Sequence, residues 1–486
     1  MAPPNEETFN SKYSFGNVFD LSDSKFYVKG FPLLTQVPHN VSFTPFSSKS
    51  HSSDAPPSIL QRVLADSHRG GFLGFSHSQP SDRLMNSLGS FSDRNFLSIF
   101  RFKTWWSTQW VGTSGSHLQM ETQWVLLHSG STKVKASSFD SIAYVHFSEN
   151  PYTLMKEAFS ALRVHLNTFK LLEEKNLPTL VDKFGWCTWD AFYLTVQPIG
   201  IWHGLKDFAD AGVPPRFLII DDGWQSINLD GGEDAKNLIL CGDQMNARLH
   251  RLDECGKFRR YKSGQFLGPN PPPFDPNNAK LLIEKGIELE RLERDSEAAK
   301  NTQSSELVLI ESKIQTGKGE IDVLFGGGEQ IEKKDCGSSC SCKGEEEYGM
   351  KAFTKDLRTK FKGLDNIYAW HAHCGAWGGV RPGATHLNSK FAPCKLSPGL
   401  DGTMHDLAVV RIVEGSIGLV HPDQANDFYD SMHSYLAQSG VTGVKVDVIH
   451  CLEYVSDEYG GRVELAKAYY DGLTNSMEFQ WKWTHC

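Results

Sequence analysis

The sequence predicts a protein that combines two fold classes, all-β in its first part and α/β in its second, and three observations support this. Short apolar and aromatic runs alternate with clusters of Ser, Gly, Asn and Pro from about residue 19 to residue 148, which is typical of antiparallel strands. From residue 183 onward, strand-like and helix-like segments alternate, as they do in parallel sheets. Acidic and aromatic residues gather at the C-terminal ends of these strand-like segments, which favours a TIM (β/α)8 barrel over an open doubly wound sheet.

Residues 1–150 are predicted to form an N-terminal β-sandwich-like domain. The pattern favours a sheet or sandwich rather than helices, because the apolar runs are short and are separated by turn-forming residues. The predicted strands lie within the segments FYVKGFPLL, GGFLGFS, FLSIFRFKTWWSTQWV, QMETQWVLL and SIAYVHFS.

Residues 151–182 are predicted to contain a linking helix. The segment PYTLMKEAFSALRVHLNTFKLLEEK begins with a proline, which suits a helix start, and carries apolar residues near helical spacing. This segment separates the strand-rich pattern before it from the alternating pattern after it.

Residues 183–476 are predicted to form a partial TIM-barrel domain. The strand-like segments are KFGWCTWDAF, FLIIDDGW, NIYAWHAHCG and GVKVDVIH, and the helix-like segments are IGIWHGLKDFADAG, ANDFYDSMHSYLAQSG and GRVELAKAYYDGLT. The apolar run of FLII shows no alternation, so we expect both faces of that strand to be buried. A closed barrel needs eight strands, and only four are predicted, so the barrel is expected to be incomplete.

A charged insert interrupts the predicted barrel at about residues 277–349. Its first part is rich in charged residues and is predicted to be helical. Its second part, FGGGEQIEKKDCGSSCSCKGEEEYG, is nearly of low complexity, is predicted to be a surface loop, and matches no phosphate-binding motif. The last residues, 477–486, offer no further βα unit and are predicted to be a divergent tail.

The composition excludes several classes of partner. The chain has 486 residues, with 49 Lys and Arg against 58 Asp and Glu, and its formal net charge is −9. Nucleic-acid binding needs concentrated positive charge, so no nucleic-acid partner is expected. We also expect no membrane partner and a cytoplasmic location, because no window approaches about 18 uninterrupted apolar residues and the first ten residues do not resemble a secretory signal. The ten cysteines are unevenly spaced and are expected to be mostly reduced.

The segment GVKVDVIH contains the first candidate site residues. A period of two places Lys445 and Asp447 on one face of the predicted strand, opposite the face of its three valines. A lysine and a carboxylate that share a face can form a buried ion pair. They can also be a nucleophile with a neighbouring hydrogen-bond donor, and the position at the C-terminal end of a barrel strand favours this second interpretation.

Two adjacent acids, Asp221 and Asp222, follow the apolar run of FLIIDDGW. Strand parity sends their side chains to opposite faces, although a twist at the strand end can bring both to the mouth of a barrel. Two like charges in an apolar setting raise each other's pKa, so each carboxylate needs hydrogen-bond donors to stay ionised. One alternative is that one acid caps a following helix while the other is solvated. With Trp224 beside them, a hydroxyl-rich ligand is the favoured interpretation.

Aromatic residues follow other predicted strands too. Trp189 and Asp190 end the segment FGWCTWD, and Trp370 lies in YAWHAHCGAWGG. Tryptophans at strand ends stack well on the apolar face of a sugar ring, but they also pack protein cores, which is the commoner fate of any single one. Both interpretations stay open for these residues.

No metal and no cofactor are expected. His371, His373 and Cys374 have the chemistry of metal ligands, but no partner cluster has a recognisable zinc spacing. The segment CGSSCSC lies in the insert without a paired motif downstream and is predicted to belong to a surface loop.

Five longer segments are more specific than any of these patterns: KFGWCTWDAFYLTV, FLIIDDGWQS, AWHAHCGAWGGVRPG, KLSPGLDGTMHDLAV and GVTGVKVDVIHCLEYV. Together they resemble the plant raffinose synthase, stachyose synthase and alkaline α-galactosidase group, which belongs to the retaining α-galactosidase clan and has a TIM-barrel catalytic domain. The resemblance runs from about Phe19 to Ser476. Within the group, residues 52–91 and the charged insert are most similar to the stachyose synthase branch.

The resemblance implies a role for each candidate residue. The aspartate of KVD attacks the anomeric carbon in this family, which makes Asp447 the implied nucleophile. The residues implied to bind galactose hydroxyl groups or to lie against the sugar ring are Asp221, Asp222, Lys445, Trp189, Asp190 and Trp370. The general acid/base of the family comes from a later segment, so it is implied to be absent from this chain, which is expected to be C-terminally truncated.

The reaction implied by the resemblance is galactosyl transfer by double displacement. Galactose would pass from galactinol to Asp447 with loss of myo-inositol, and a hydroxyl group of raffinose would then attack the intermediate to give stachyose. The alternatives are the reaction of a raffinose synthase, hydrolysis by an alkaline α-galactosidase, and an inactive or merely galactoside-binding product that lacks the general acid. The expected partners are therefore small sugars, and no oligomeric state is predicted.

Overall fold

The fold is that of a computed structural model, which describes residues 13–15, 18–47, 53–81, 85–90, 96–97, 105–106, 111–112, 124–129, 131–229, 244–269, 271–302, 306–324, 347–395, 412 and 414–482. Within these residues the architecture is mixed α/β. A β-rich N-terminal part is followed by a parallel sheet whose strands are connected by helices. The predicted combination of fold classes is confirmed at this level.

The N-terminal part contains several small antiparallel sheets. Its described strands are β1 (Tyr13–Phe15), β2 (Phe19–Ser22), β3 (Lys25–Val28), β4 (Phe31–Leu34), β5 (Val41–Pro45), β6 (Gly70–Ser81), β7 (Met85–Ser90), β8 (Phe96–Leu97), β9 (Trp105–Trp106), β10 (Val111–Gly112), β11 (Trp124–Ser129) and β12 (Ala136–His146). Strands β1 to β4 form one sheet in chain order, and β6 pairs with both β5 and β12 in a second sheet. Strand β11 pairs with β7 and β9, and β8 pairs with β10.

The first two of these sheets share a hydrophobic core. The ring of Phe43 in β5 lies 4.9 Å from that of Phe19 and 5.1 Å from that of Phe26, both in the first sheet. Leu73 and Phe75 of β6 belong to the same buried cluster. Side chains of two sheets that interdigitate in this way are the packing expected of a sandwich.

One helix in this region contradicts the prediction of a sheet alone. Helix α1 (Pro57–Asp66) packs against α2 (Pro151–Leu166), and Ile59 and Val63 of α1 share a small core with Ala161 of α2. A proline suits the first turn of a helix. The Ser and Pro residues before α1 are also turn formers, which is why the pattern alone favours a loop there.

Helix α2 covers residues 151–166, the first part of the segment predicted to link the two regions. The Asn150 side chain caps it by accepting the backbone N–H of Tyr152 at 2.9 Å. Near its other end the buried Arg163 pairs with Glu174 at 2.9 Å and with Asp54 at 2.6 Å. These ion pairs fix the helix to the chain on either side of it.

The second part is built on a parallel sheet. Its strands are β13 (Gly185–Cys187), β14 (Phe217–Ile220), β15 (Gln225–Asn228), β16 (Arg248–Glu254), β17 (Asn366–Ala372), β18 (Ser389–Ala392), β19 (Ile417–Val420) and β20 (Gly443–Asp447). The sheet consists of β13, β14, β17 and β20, in that order and all parallel. These are the four strands that the sequence predicts. The pairs β15–β16 and β18–β19 are antiparallel ribbons within the connections.

Helices connect the strands of the parallel sheet. They are α3 (Trp189–Phe192), α4 (Pro198–Asp210), α5 (Gly256–Arg259), α6 (Pro276–Thr302), α7 (Leu307–Leu324), α8 (Gly349–Lys360), α9 (Ala425–Gln438), α10 (Cys451–Tyr454) and α11 (Arg462–Trp481). Helix α4 leads into β14, α8 into β17 and α9 into β20, and α11 follows β20. The helices predicted near α4, α9 and α11 are confirmed, and α8 was not predicted.

The two faces of β14 differ in burial. Leu218 and Ile220 of β14 are fully buried in a core that also contains Trp202 of α4. Phe217 and Ile219, on the other face, are only half-buried. The prediction that both faces of this strand are buried is therefore wrong, because helices cover one face while the other remains partly open.

The charged insert begins with a helical hairpin, as its composition predicts. Helices α6 and α7 bury Leu282, Leu289, Ile314 and Ile321 between them. Ion pairs that join the two helices include Lys285 to Glu320 at 2.6 Å. The low-complexity part of the insert, including the CGSSCSC segment, lies outside the described residues.

The predicted tail begins inside a helix. Helix α11 continues to Trp481, whose indole N–H donates to the carbonyl of Val441 at 2.9 Å. Gln480 donates to Asp430 of α9 at 3.0 Å. Residues 477–481 therefore pack on α9.

Across the described ranges, no helix combines the length and apolar content that a membrane crossing requires.

The difference between the two sheet faces can be tested by truncation. We expect Leu218→Ala to lower the free energy of unfolding by about 2–5 kcal/mol, because it leaves a cavity in a closed core. Ile219→Ala is the matched control and should cost about half as much or less, because its side chain already contacts solvent. Urea unfolding of both variants measures the difference, and equal losses would contradict the open face.

Candidate active site

The C-terminal ends of three neighbouring strands bring the predicted site residues together. Trp370 of β17 lies opposite Lys445 of β20, and Ala372 lies opposite Asp447. Residues in register share a face of the sheet, so these side chains project from the same face as Ile219. On this face Ile219 and Asp447 are half-buried, whereas Trp370 and Ala372 are buried.

The carboxylate of Asp447 is held by one donor on each oxygen. The indole N–H of Trp370 donates to Oδ2 at 3.2 Å, and the backbone N–H of Val448 donates to Oδ1 at 2.8 Å. Val448 has a φ of 55°, a left-handed conformation that is strained for a β-branched residue and turns its N–H back towards the carboxylate. Asp447 is half-buried. Its carboxylate is thus oriented and retains free lone pairs, as a nucleophile requires.

Lys445 pairs with Asp221. Its Nζ lies 2.6 Å from Asp221 Oδ2, and the lysine side chain is 36% exposed while that of Asp221 is 3% exposed. Burial lowers the pKa of Lys445, but the hydrogen bond and charge of Asp221 outweigh it and the pKa is raised. The interpretation of Lys445 and Asp447 as a closed ion pair is therefore not supported, although they share a face as predicted.

Asp221 accepts further hydrogen bonds. The thiol of Cys187, at the end of β13, donates to Asp221 Oδ2 at 3.0 Å, and the backbone N–H of Asp222 donates to Oδ1 at 2.9 Å. The backbone N–H of Asp221 itself donates to the hydroxyl of Thr188 at 3.0 Å. The first acid of the pair is thus a carboxylate surrounded by donors.

Asp222 lies in a different environment. It is 2% exposed, and the indole N–H of Trp377 donates to its Oδ2 at 3.1 Å. Burial raises the pKa of Asp222 to about 7, against the effect of the Trp377 hydrogen bond, and the charge of Asp221 adds to the rise. Lys257 is also buried, lies close enough to oppose this rise, and donates to the carbonyl of Leu194 at 2.8 Å. The two acids therefore lie in different environments although they are adjacent in sequence, and burial favours the protonated form of Asp222.

The three tryptophans named from the sequence lie in different environments. Trp370 is buried and contributes its indole N–H to Asp447. Trp189 is half-buried and makes an edge contact with Tyr193 at 5.1 Å, while Asp190 beside it is exposed. Trp224 is fully buried and its indole N–H donates to the carbonyl of Trp370 at 2.8 Å, so it supports the strand end and offers no surface to a ligand.

Four residues of the site were not predicted as such. Trp377 lies in the segment quoted for Trp370, but the sequence predicts no site role for Trp377, Cys187, Lys257 or Val448. Cys187 and Val448 adjoin predicted site residues, so their position was a usable signal. Lys257 carries no signal in its own segment, because its proximity to Asp222 results from the tertiary fold.

The histidines of the HAHC segment belong to the packed interior. His371 Nδ1 lies 2.8 Å from the carbonyl of Ala372, and its Nε2 lies 3.2 Å from His433 Nε2. His433 Nδ1 lies 3.0 Å from the hydroxyl of Ser476. Burial lowers the pKa of both His371 and His373 to about 4, so both rings are neutral at neutral pH. Among the described residues there is no group of three or more His, Cys, Asp or Glu that could hold a metal ion.

A comparison with protein families assigns the chain. The model of the family described as raffinose synthase or seed imbibition protein Sip1 matches residues 19–129 and 126–486. The chain belongs to this family. Stachyose synthase of Pisum sativum, a relative, is 64% identical to this chain over 98% of this chain and 60% of its own length. The resemblance predicted from the sequence is confirmed.

Two further relatives carry other names. Probable galactinol–sucrose galactosyltransferase 4 of Arabidopsis thaliana is 54% identical over 95% of this chain and 57% of its own length. Galactinol–sucrose galactosyltransferase of Pisum sativum is 36% identical over 99% of this chain and 58% of its own length. The chain thus spans somewhat less than two thirds of each of these raffinose synthase family relatives.

The burial of Asp222 predicts a pH-dependent stability. Its pKa is about 7 in the folded protein against an ordinary 3.8, so between these values the folded protein holds a proton that the unfolded chain has lost. This contribution stabilises the fold at low pH and is lost as the pH rises towards 7. Asp222→Asn removes the titration, so its unfolding free energy relative to wild type should rise by about 2–3 kcal/mol from pH 5 to pH 7.5.

Urea unfolding of both proteins at several pH values measures this difference, and the lost carboxylate contacts affect only the pH-independent offset. Asp190→Asn, at an exposed position in the same region, is the matched control and should show no such trend. A difference between Asp222→Asn and wild type that stays constant with pH would contradict the burial argument.

Proposed function

We propose that this chain carries the galactosyl-transfer site of an enzyme that makes stachyose from galactinol and raffinose by retaining double displacement. The observation that carries the proposal is the carboxylate of Asp447, which is half-buried with one donor on each oxygen. The 64% identity to a protein named stachyose synthase supports the choice of reaction.

Each residue of the site has its own role in the proposed reaction. Asp447 attacks the anomeric carbon of the galactosyl group, and the bond to myo-inositol breaks. The departing inositol oxygen takes up one proton, and the raffinose hydroxyl group gives up one proton in the second step. Asp221 and Lys445 bind hydroxyl groups of the galactose on one side, and Asp222 binds them on the other. A hydroxyl group of raffinose then attacks the galactosyl ester, which restores the carboxylate and retains the configuration. No residue of this chain is assigned as the general acid/base, and the reaction needs no cofactor.

Trp189 and Asp190 remain proposed residues of the galactose subsite. Trp189 is half-buried in a cluster with Leu194, whose carbonyl lies against the turn that follows Asp222. An aromatic ring at this position is suited to stack on a sugar. Asp190 is exposed next to it and is available to a ligand.

We also propose that the parallel sheet is part of a TIM (β/α)8 barrel. Its strands follow one another in chain order, each preceded or followed by a helix, and the site lies at their C-terminal ends, as in barrel enzymes. The proposed units are a sandwich-like domain over residues 1–150, a linking segment over 151–182 and the barrel part over 183–476. The cytoplasm is the proposed compartment.

Transfer to sucrose is the second candidate. Two of the relatives are named galactinol–sucrose galactosyltransferases, and they are 54% and 36% identical to this chain. The higher identity to stachyose synthase favours raffinose as the acceptor. Incubation of the chain with α-galactosyl fluoride, a donor whose leaving group needs no protonation, and either acceptor should give stachyose from raffinose at least about fivefold faster than raffinose from sucrose. Release of free galactose alone would indicate a hydrolase, and the absence of any product would contradict transferase activity in this chain.

Covalent labelling tests the nucleophile independently of the acceptor. A fluorinated α-galactosyl fluoride has a leaving group that needs no protonation, so the test does not depend on the general acid. We expect the sugar to be attached to Asp447 within the tryptic peptide of residues 446–462, as located by mass spectrometry. Asp447→Asn should not be labelled. A label on another residue, or no label on the wild-type chain, would refute the proposed nucleophile.

A further inference from the structure

We propose that Cys187 is a positioning residue of the galactose subsite, whose thiol fixes the orientation of the Asp221 carboxylate. The hydrogen bond from Cys187 to Asp221 is a property of the fold. Its effect on the binding of a sugar rests on the proposed function.

The thiol lies between two segments of the site. Cys187 ends β13 in register with Ile219, so its side chain projects from the same face of the sheet. Its Sγ donates to Asp221 Oδ2 at 3.0 Å. A single side chain therefore connects the end of β13, two residues before Trp189, to the acid that pairs with Lys445.

The hydrogen bonds around Asp221 show what the thiol does. Oδ2 accepts from both Lys445 and Cys187, while Oδ1 accepts from the backbone N–H of Asp222. An ionised carboxylate has roughly four acceptor sites, so three of them are occupied and the free one is on Oδ1. Without the thiol, the carboxylate would have a second free acceptor site, on Oδ2, and it could rotate. Cys187 thus determines which oxygen of Asp221 meets a sugar hydroxyl.

This role requires that the sulfur keeps its proton. Burial raises the pKa of the Cys187 thiol and the neighbouring Asp221 raises it further, whereas Lys445 acts in the opposite direction. Because the thiolate is the reactive form, the rate of alkylation reports on this electrostatic link. Removal of the acid and removal of the lysine should therefore change the rate in opposite directions.

Alkylation of the native full chain with iodoacetamide at pH 8 tests the link. The tryptic peptide of residues 184–206 contains Cys187 as its only cysteine, and that of residues 391–395 contains only Cys394, which serves as the internal control. Asp221→Asn should accelerate labelling of Cys187 about tenfold, and Lys445→Met should leave it unchanged or slow it. Labelling of Cys394 should be the same in all three proteins. Acceleration in both variants would mean that the site simply opens, and an unchanged rate in Asp221→Asn would mean that there is no link; either result overturns the proposal.

The affinity for galactinol tests whether Cys187 positions Asp221 for a sugar. Galactinol is titrated calorimetrically into wild type, Cys187→Ala and Cys187→Ser. The alanine variant should bind about tenfold more weakly, whereas serine restores a donor and should stay within about threefold of wild type. Equal affinity of wild type and the alanine variant would refute the positioning role. If the wild-type chain does not bind galactinol, the proposed function fails, and the alkylation rates still decide whether the thiol is linked to Asp221.

Discussion

The ion pair between Lys445 and Asp221 is the contact on which the rest of the site depends. It joins β20 to β14 across the strand that lies between them. Asp221 also accepts the thiol of Cys187 from β13, and Trp370 of β17 donates to Asp447. The ends of all four parallel strands are thus tied together by polar contacts. A partly buried network of this kind orders a site only when each member has its partners, because an unpaired polar group is costly there.

Adjacent acids in one sequence motif acquire different chemistry from their surroundings. Asp221 is bound by a lysine, a thiol and a backbone amide, so it presents an acceptor in a fixed direction. Asp222 is enclosed and has a pKa of about 7, so near neutral pH it can donate as well as accept. A sugar hydroxyl group is both a donor and an acceptor. In the proposed function the tandem acids would offer a sugar hydroxyl group complementary partners, and the divergence of two neighbouring carboxyl groups is a recurrent way to divide roles within a site.

Local patterns predicted the features that depend on local geometry. The period of two correctly placed Lys445 and Asp447 on one face, and the four parallel strands were recognised from their apolar runs and from the acids that follow them. The partner of Lys445 could not be predicted, because it depends on the register between strands far apart in the chain. The strained turn at Val448 is equally invisible, since a valine by itself disfavours that conformation. Helix α1 was missed because the residues that precede it suit a turn as well as a helix start.

Helices α6 and α7 form an arm with its own interior, since their apolar side chains pack against each other. The ion pair between Lys285 and Glu320 holds the start of the first helix near the end of the second. The buried side chains of this arm form a cluster separate from the core of the parallel sheet. The arm can therefore change in length or surface charge without removing side chains from that core, which leaves the hairpin open to variation during evolution.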